Sequence, residues 1–351
     1  MSTTTLEKVK LNDEIVNNLF CKIEKIILNN KTKMSYQINN TLVNTYFSIG
    51  KTIVENEQNG SIRAEYGKDI LKRLSKELTN KYGTGFSLSG LYNMRLFYNR
   101  YKNFQPLAGN LSWSHYCYLI YIEDDDERSF YEKECINSKW SKRELKRQID
   151  SSLFQRLLLS KGNTNKKKVY ELSKKGQSVA TPNDILKEPY VFEFLGIKEE
   201  KPLLESELEK NLINHLSSFL MELGKGFMYV GNQVRITLDN NIHYYIDLVF
   251  YNKILRSYVL IDLKMDDMKP EYAGQMNMYI NYYNKEVRDE FDNETIGIIL
   301  CKGKKEVTME YALGGLSNNI FASTYTYYIP DKEELINEVE KVLNETEKND
   351  N

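Results

Sequence analysis

The stretch His243–Lys264 reads HYYIDLVFYNKILRSYVLIDLK. Two apolar runs flank Asn252-Lys253, and each carries an acid. Side chains alternate in direction along a strand. In the second run Tyr258, Leu260, Asp262 and Lys264 therefore share one face, and Val259, Ile261 and Leu263 share the other. An acid and a lysine near the end of an apolar strand need a reason to be there. In the first run Asp247 interrupts Tyr245, Ile246, Leu248, Val249 and Phe250. A hairpin turning at Asn252-Lys253 brings Asp247 and Asp262 together. Two carboxylates at close range repel strongly in a partly buried site unless a cation sits between them. All-oxygen ligation suits Mg²⁺ or Mn²⁺. Such an ion activates a water and stabilises charge on a phosphate under attack, and Lys264 is placed to orient that water or neutralise the phosphate. The residues alone leave a plainer alternative open: a buried Lys264–Asp262 ion pair beside an ordinary half-exposed Asp247.

Upstream, Leu204, Leu208, Leu212, Leu216 and Leu220 stand four apart, which predicts one amphipathic helix ended by Gly224. It carries Glu207 and Glu209, and Glu209 lies at the edge of the apolar stripe, one position past Leu208. Tyr229–Leu238 is a further strand, joined by a turn at Asp239-Asn240-Asn241, so three strands form an antiparallel meander. Downstream come a helix over 270–285, a buried strand Thr295–Cys301, a strand Tyr325–Ile329 and an acidic helix Asp331–Asn351. The order is αβββαβ with added elements.

Residues 1–160 read as all-helical, with an apolar face on Asn12–Asn29, a second helix around Leu42–Ile53 and a third ending near Tyr82-Gly83. A turn at Gly83–Phe86 and a cap at Ser87 or Ser89 open a helix through about Tyr101, a layout compatible with a helix-turn-helix. Tyr92, Asn93, Arg95, Asn99 and Arg100 lie on that candidate recognition helix, where Arg95 and Arg100 can meet phosphates or guanine edges, unless they form the solvated face of a bundle. Helices follow at 112–122 and after the acids Glu123–Glu127. Ser141 with Glu144 makes a capping box for a helix through about Leu158. On it Lys142, Arg143, Lys146 and Arg147 line one side as candidate phosphate contacts. Residues 161–184 lose periodicity and read as the linker between a helical domain, 1–160, and a second domain, 185–351.

At 351 residues, 41% hydrophobic and 28% charged, a disordered or fibrous chain is excluded. The net charge of −1 hides an asymmetry: residues 1–180 hold 30 Lys+Arg against 19 Asp+Glu, and the remaining 171 hold 18 against 30. A basic half beside an acidic half suggests a polyanion-binding module, although two oppositely biased solvated surfaces give the same count. Cys21, Cys117, Cys135 and Cys301 are too scattered for a disulfide framework or a metal knuckle, and His115, His215 and His243 are equally dispersed. No apolar run reaches the roughly 20 residues needed to span a bilayer, and the first residues lack a secretory h-region, so the expectation is a cytoplasmic protein.

The residues resemble a known family. Asp247, then Asp262-Leu263-Lys264, in an αβββαβ context, is similar to the PD-(D/E)xK nuclease superfamily, with Ile246 where the usual proline stands. Gln275-Met276-Asn277-Met278-Tyr279 resembles the QxxxY motif of RecB-type nucleases. Its i,i+4 spacing puts an amide and a phenol on one helical face, able to hold a phosphate, or else a surface residue and a core tyrosine. YIDLVFYNKILRSYVLIDLK, KPEYAGQMNMYINYYN and IGIILCKGKKEVTMEYAL narrow the resemblance to the YhcG-type nucleases, and LSWSHYCYLIYIEDDDERSFYEKECINSKWSKREL resembles that family's preceding helical domain. The resemblance implies a restriction-endonuclease-like fold and a metal-dependent nuclease, with Asp247, Asp262 and Lys264 as catalytic set and the Leu263 carbonyl as a metal ligand. Glu209 matches the acidic position on the first helix, with Glu207 the competing choice, and Gln233 lines the site. DNA is the expected substrate. A homodimer is compatible with this reading, since cutting both strands is easiest with two sites. The alternatives are a non-catalytic nucleic-acid-binding protein, or a partner-gated subunit of a defence, restriction or recombination system.

Overall fold

The computed structural model describes residues 3–59, 64–102, 111–160, 165–197, 204–238, 242–304 and 319–349. They form two compact units, Met1–Glu123 and Asp124–Asn351.

The first unit is all-helical: α1 (Thr3–Asn59), α2 (Ala64–Tyr82), α3 (Leu88–Arg100) and α4 (Trp113–Leu119). The two helices expected over 12–53 are one continuous helix, because no glycine or proline interrupts the chain before Gly50. At Gly50 α3 passes close by: a Cβ there would lie 2.0 Å from the Met94 carbonyl oxygen. Tyr46, Ile53, Leu71, Leu91 and Met94 make the core. The expected break at Gly83 is present with φ 97°, and the Ser87 hydroxyl accepts from the Gly90 N–H at 3.3 Å to cap α3.

The second unit begins with α5 (Asp125–Ser138), α6 (Lys142–Asp150), α7 (Leu153–Leu159) and α8 (Lys166–Lys175). Ser141 caps α6 as its sequence predicts. The single helix expected over 141–158 is broken at Ser151-Ser152, where Ser152 takes φ 51° and Arg156 binds back to the Ser151 carbonyl at 2.7 Å. The stretch expected as linker contains α8, capped by Asn165, which accepts from Lys168 N–H at 2.9 Å. Val169, Tyr170 and Leu172 are the large hydrophobic residues of α8, too few for a visible periodicity.

A six-stranded mixed sheet follows: β1 (Tyr190–Val191), β2 (Phe227–Leu238), β3 (Ile242–Asn252), β4 (Ser257–Leu263), β5 (Ile296–Cys301) and β6 (Ile320–Thr326), in the order β1-β6-β5-β4-β3-β2. The β2-β3-β4 meander is antiparallel, and β4, β5, β6 and β1 run parallel. The turn expected at 239–241 lies outside the described residues. The last strand lies earlier than the Tyr325–Ile329 read from sequence, since Ile320 and Ala322 supply its buried residues. One face is covered by α9 (Glu205–Asn214) and α10 (Leu216–Leu223), through Leu208, Leu212, Phe219 and Leu223. The predicted single helix bends at His215 into these two, and Gly224 ends the second at φ 101°. The other face is covered by α11 (Pro270–Tyr282), through Ala273, Met276, Tyr279 and Ile280. The C-terminal α12 (Lys332–Asn349) buries Leu335 and Val339. The chain is thus a helical N-terminal region followed by an α+β unit with the expected αβββαβ order.

Candidate active site

The site forms where β3 and β4 part. Their pairing runs from Asn252/Ser257 to Leu248/Ile261 and stops there. Asp247 is the next residue on β3, and Asp262 the next on β4. Packing also changes sides at this point: Ile246 lies in the core under α11, whereas Leu248 lies in the core under α9 and α10. On β4 the expected alternation holds, with Val259, Ile261 and Leu263 on the α9–α10 side and Leu260 on the α11 side. The Leu263 N–H donates to Asp247 Oδ2 at 2.8 Å, which ties the two strands through a side chain.

Asp262 is 2% exposed. Lys264 Nζ lies 2.9 Å from Asp262 Oδ2, but no well-directed hydrogen bond reaches that oxygen. Burial, then the neighbouring Asp247 carboxylate, raise the Asp262 carboxyl to about 7, even against the pull of Lys264. Burial opposes charge on Lys264, but Asp262, Glu205 and Asp247 outweigh it and raise the ammonium to about 12. Both branches of the sequence reading are therefore present: there is a buried ion pair, and it has a second carboxylate beside it.

The first covering helix supplies two more carboxylates. Glu209 is buried. It accepts from Gln233 Nε2 at 2.7 Å and from Asn232 Nδ2 at 3.1 Å. The same Gln233 nitrogen donates to Asp247 Oδ1 at 3.1 Å. Gln233 achieves this with φ 48°, the left-handed region that a non-glycine residue rarely adopts. Glu207, the competing choice, is exposed, and it accepts from the Leu204 N–H at 3.1 Å as a helix cap.

Sequence reading passed over Glu205 and Tyr272. Glu205 Oε1 lies 3.4 Å from Lys264 Nζ, and its carboxyl is raised by burial first and by Asp247. Its position four before Glu209, on one helical face, was a legible signal. The Tyr272 ring centroid is 5.3 Å from Lys264 Nζ, and its hydroxyl donates to Asp266 at 2.8 Å. Only the fold brings Tyr272 over the lysine.

The QxxxY pair is bonded internally. Gln275 Nε2 donates to the Tyr279 hydroxyl at 2.7 Å, and that hydroxyl donates to the Tyr245 carbonyl at 3.1 Å. Tyr279 is fully buried, and burial followed by Asp262 raises its phenol to about 12. Tyr279 thus anchors β3 two residues before Asp247, and Gln275 is the half-buried member.

Among the described residues, no three His, Cys, Asp or Glu side chains converge as a ready-made metal cage. The donor set nevertheless fits a hard divalent cation. Asp262 Oδ2 is a buried carboxyl oxygen short of hydrogen bonds, Asp247 lies beside it, and one amide group separates Asp247 from Glu209.

The candidate nucleic-acid residues are scattered. In the first unit Arg95 pairs with Glu57 at 3.2 Å and lies over the Tyr92 ring, and Arg100 pairs with Glu123 at 3.3 Å. On α6 Lys142 and Arg143 are exposed, and Lys146 pairs with Asp150. Arg147 corrects the expected basic stripe. It turns inward to Glu193 at 2.6 Å and Glu222 at 3.0 Å, because Glu222 is buried and needs cations. Arg156 (2.5 Å) and Lys187 (3.9 Å) complete that cluster.

A mixed sheet with helices on both faces, and with Asp247, Asp262 and Lys264 where two of its strands part, is consistent with the nuclease resemblance of the sequence. Residues 183–340 match the model of the YhcG PDDEXK nuclease domain, and residues 22–156 match the DUF1016 N-terminal domain. The protein named "Putative nuclease YhcG" of Escherichia coli (strain K12) is 36% identical over 341 residues, covering 88% of this chain and 89% of that one. The chain belongs to the YhcG family. Two solved structures also align in part. A repair endonuclease from Pyrococcus abyssi shows 15% identity and a TM-score of 0.26 over 36% of this chain. EndoMS in apo form shows 14% identity and a TM-score of 0.23 over 38%. The chain spans about half the length of each, 49%.

Among the described residues, no helix is long and apolar enough to cross a membrane.

Proposed function

We propose that this nuclease-family chain hydrolyses phosphodiester bonds in DNA with a divalent metal, Mg²⁺ or Mn²⁺. The observation that carries the reading is the buried Asp262 carboxyl, held against Asp247 and paired with Lys264 at 2.9 Å at the end of an apolar strand. Buried like charges raise the free energy of the fold and are expected where chemistry uses them. Asp247, Asp262 and the Leu263 carbonyl would hold the ion, and Glu209 would complete the set once the Gln233 amide moves aside. The bound ion would supply Lewis acidity toward the scissile phosphate and its attacking water. Lys264, steered by Asp262, Glu205 and the Tyr272 ring, keeps its proton and presents a positive charge to the phosphate. Tyr279 holds β3 in place, and the half-buried Gln275 would be the member of the pair that meets the DNA. Lys142, Arg143, Arg95 and Arg100 add sequence-independent affinity, the last two by exchanging intramolecular carboxylates for phosphates.

The test is incubation of the purified chain with supercoiled, linear and single-stranded DNA at low salt, in Mg²⁺, Mn²⁺ or EDTA, beside Asp262→Ala and Lys264→Ala. Metal-dependent cutting absent from both variants is the expected result. Cutting that survives Asp262→Ala, or that proceeds in EDTA, refutes the assignment.

A further inference from the structure

Among the described residues, two exposed features of α1 lie on one side of the helix, and they match each other. Val16, Phe20, Ile23 and Ile27 form a ridge of large apolar side chains, between 49% and 63% exposed. They advance by four, three and four residues. Further along the same helix Thr41, Thr45, Ser48 and Thr52 advance by the same steps. These four line a groove of about 580 Å³, with Ile49 and with Leu74 of α2 on its walls. A second hollow of about 370 Å³ shares Thr41 and Thr45 and extends the groove toward Gln37. The groove is apolar despite its hydroxyls. Thr45 Oγ1 donates to the Thr41 carbonyl at 2.8 Å and Thr52 Oγ1 to the Ser48 carbonyl at 2.9 Å, so both hydroxyls are satisfied within the helix.

We propose that α1 pairs antiparallel with α1 of a second copy of this chain, the ridge of each seated in the groove of the other. One register seats all four ridge residues at once: Val16 lies opposite Thr52, Phe20 opposite Ser48, Ile23 opposite Thr45 and Ile27 opposite Thr41, with Met34 on the twofold axis; its one like-charge pairing is Asp13 opposite Glu55. Large side chains meet small ones, as knobs meet holes in a coiled coil, and the alternating steps of four and three keep the seam together. The contact is isologous and closes as a dimer. No lysine falls opposite a lysine in this register, since Lys31 faces Gln37 and Lys33 faces Ser35. Two ridge-groove contacts over about 55 Å of helix bury on the order of 800 Å² per partner, the size of a standard stable interface.

Sedimentation velocity on the full chain, followed across concentration, is expected to show a dimer. Ile23→Glu in the ridge and Thr45→Glu in the groove each return it to monomer with helicity unchanged by circular dichroism. A cysteine pair reports the register independently in a Cys21→Ser background, because Cys21 is exposed. Ile23→Cys with Thr45→Cys cross-links into a dimer on oxidation, whereas Ile23→Cys alone does not. The two positions are about 33 Å apart along one helix, so a bond within a chain is excluded. A monomeric wild type, a dimer indifferent to both glutamates, or cross-linking by Ile23→Cys alone overturns the proposal. None of these readouts depends on cleavage.

Discussion

The Gln233 amide nitrogen stands 3.1 Å from Asp247 Oδ1 while also donating to Glu209 at 2.7 Å, so one side chain bridges two carboxylates from different elements. A neutral donor thereby holds apart two groups that would otherwise repel, at the cost of a left-handed backbone at Gln233. Gln233→Leu removes the bridge. In EDTA it lowers unfolding free energy by about 1–2 kcal/mol, the usual loss when buried acceptors lose their donor. Mn²⁺ then raises the melting temperature of the variant more than that of the wild type. Equal metal-induced shifts in a thermal scan would remove Gln233 from this role.

Tyr272 steers Lys264 through its ring face and is itself fixed by Asp266. Tyr272→Leu is expected to lower kcat about tenfold with KM nearly unchanged, because a cation–π contact is worth roughly 1 kcal/mol or more when partly desolvated. Tyr272→Phe keeps the ring and loses less. A steady-state comparison in which Phe and Leu behave alike rules out the ring contact.

Arg147 and the pair Lys142 and Arg143 share α6 but differ in environment. Double replacement of Lys142 and Arg143 by alanine reduces the slope of log affinity against log salt by about 2 on duplex DNA. Arg147→Ala leaves that slope unchanged and destabilises the fold by about 3 kcal/mol, since it strips a cation from buried Glu222. Fluorescence anisotropy across salt and urea unfolding separate the two. An Arg147→Ala protein of wild-type stability with a shallower slope would restore the basic stripe as first read.

Glu222 is fully buried. Burial alone would raise its carboxyl, but Arg156, Lys187 and Arg147 overcome this and hold it at about 2. A carboxyl depressed in the folded state contributes stability above its unfolded value near 4.5 and loses it as pH falls toward 2. The contribution is on the order of 3 kcal/mol. Urea midpoints should therefore fall between pH 4.5 and 2.5 in the wild type, and Glu222→Gln should flatten that segment from a lower starting stability. A variant with the same acid limb as the wild type assigns the loss to other carboxyls.

Lys187 has the same slope with pH at the alkaline end, although there burial opposes the charged form. Burial lowers its ammonium to about 8. The unfolded chain then binds more protons between pH 8 and 10.5, so this residue makes the fold gain stability as pH rises through that window. Lys187→Met removes the rise, measured as the change in urea midpoint from pH 8 to 10.

The αβββαβ order was legible because local signals agreed. Alternating strands, a turn at Asn252-Lys253 and four-residue leucine steps each depend on nearby residues alone. The pairing of Asp247 with Asp262 was legible for the same reason, since a hairpin fixes its own register. The helix break at Ser151-Ser152 and the two-residue β1 were not. The first depends on Arg156 reaching back to Ser151, the second on a parallel partner, Tyr325, more than a hundred residues away.

The sequence by itself determined the strand pattern, the charged positions at the strand end and the two candidate glutamates, because these follow from periodicity along one segment. Only the tertiary structure decided between Glu207 and Glu209 as the residue facing Asp247, drew Glu205 and Tyr272 to Lys264, and turned Arg147 inward. Each of those outcomes is set by which residues a distant segment presents. A charge takes its role from the dielectric and the partners around it, and these exist only once the chain has folded.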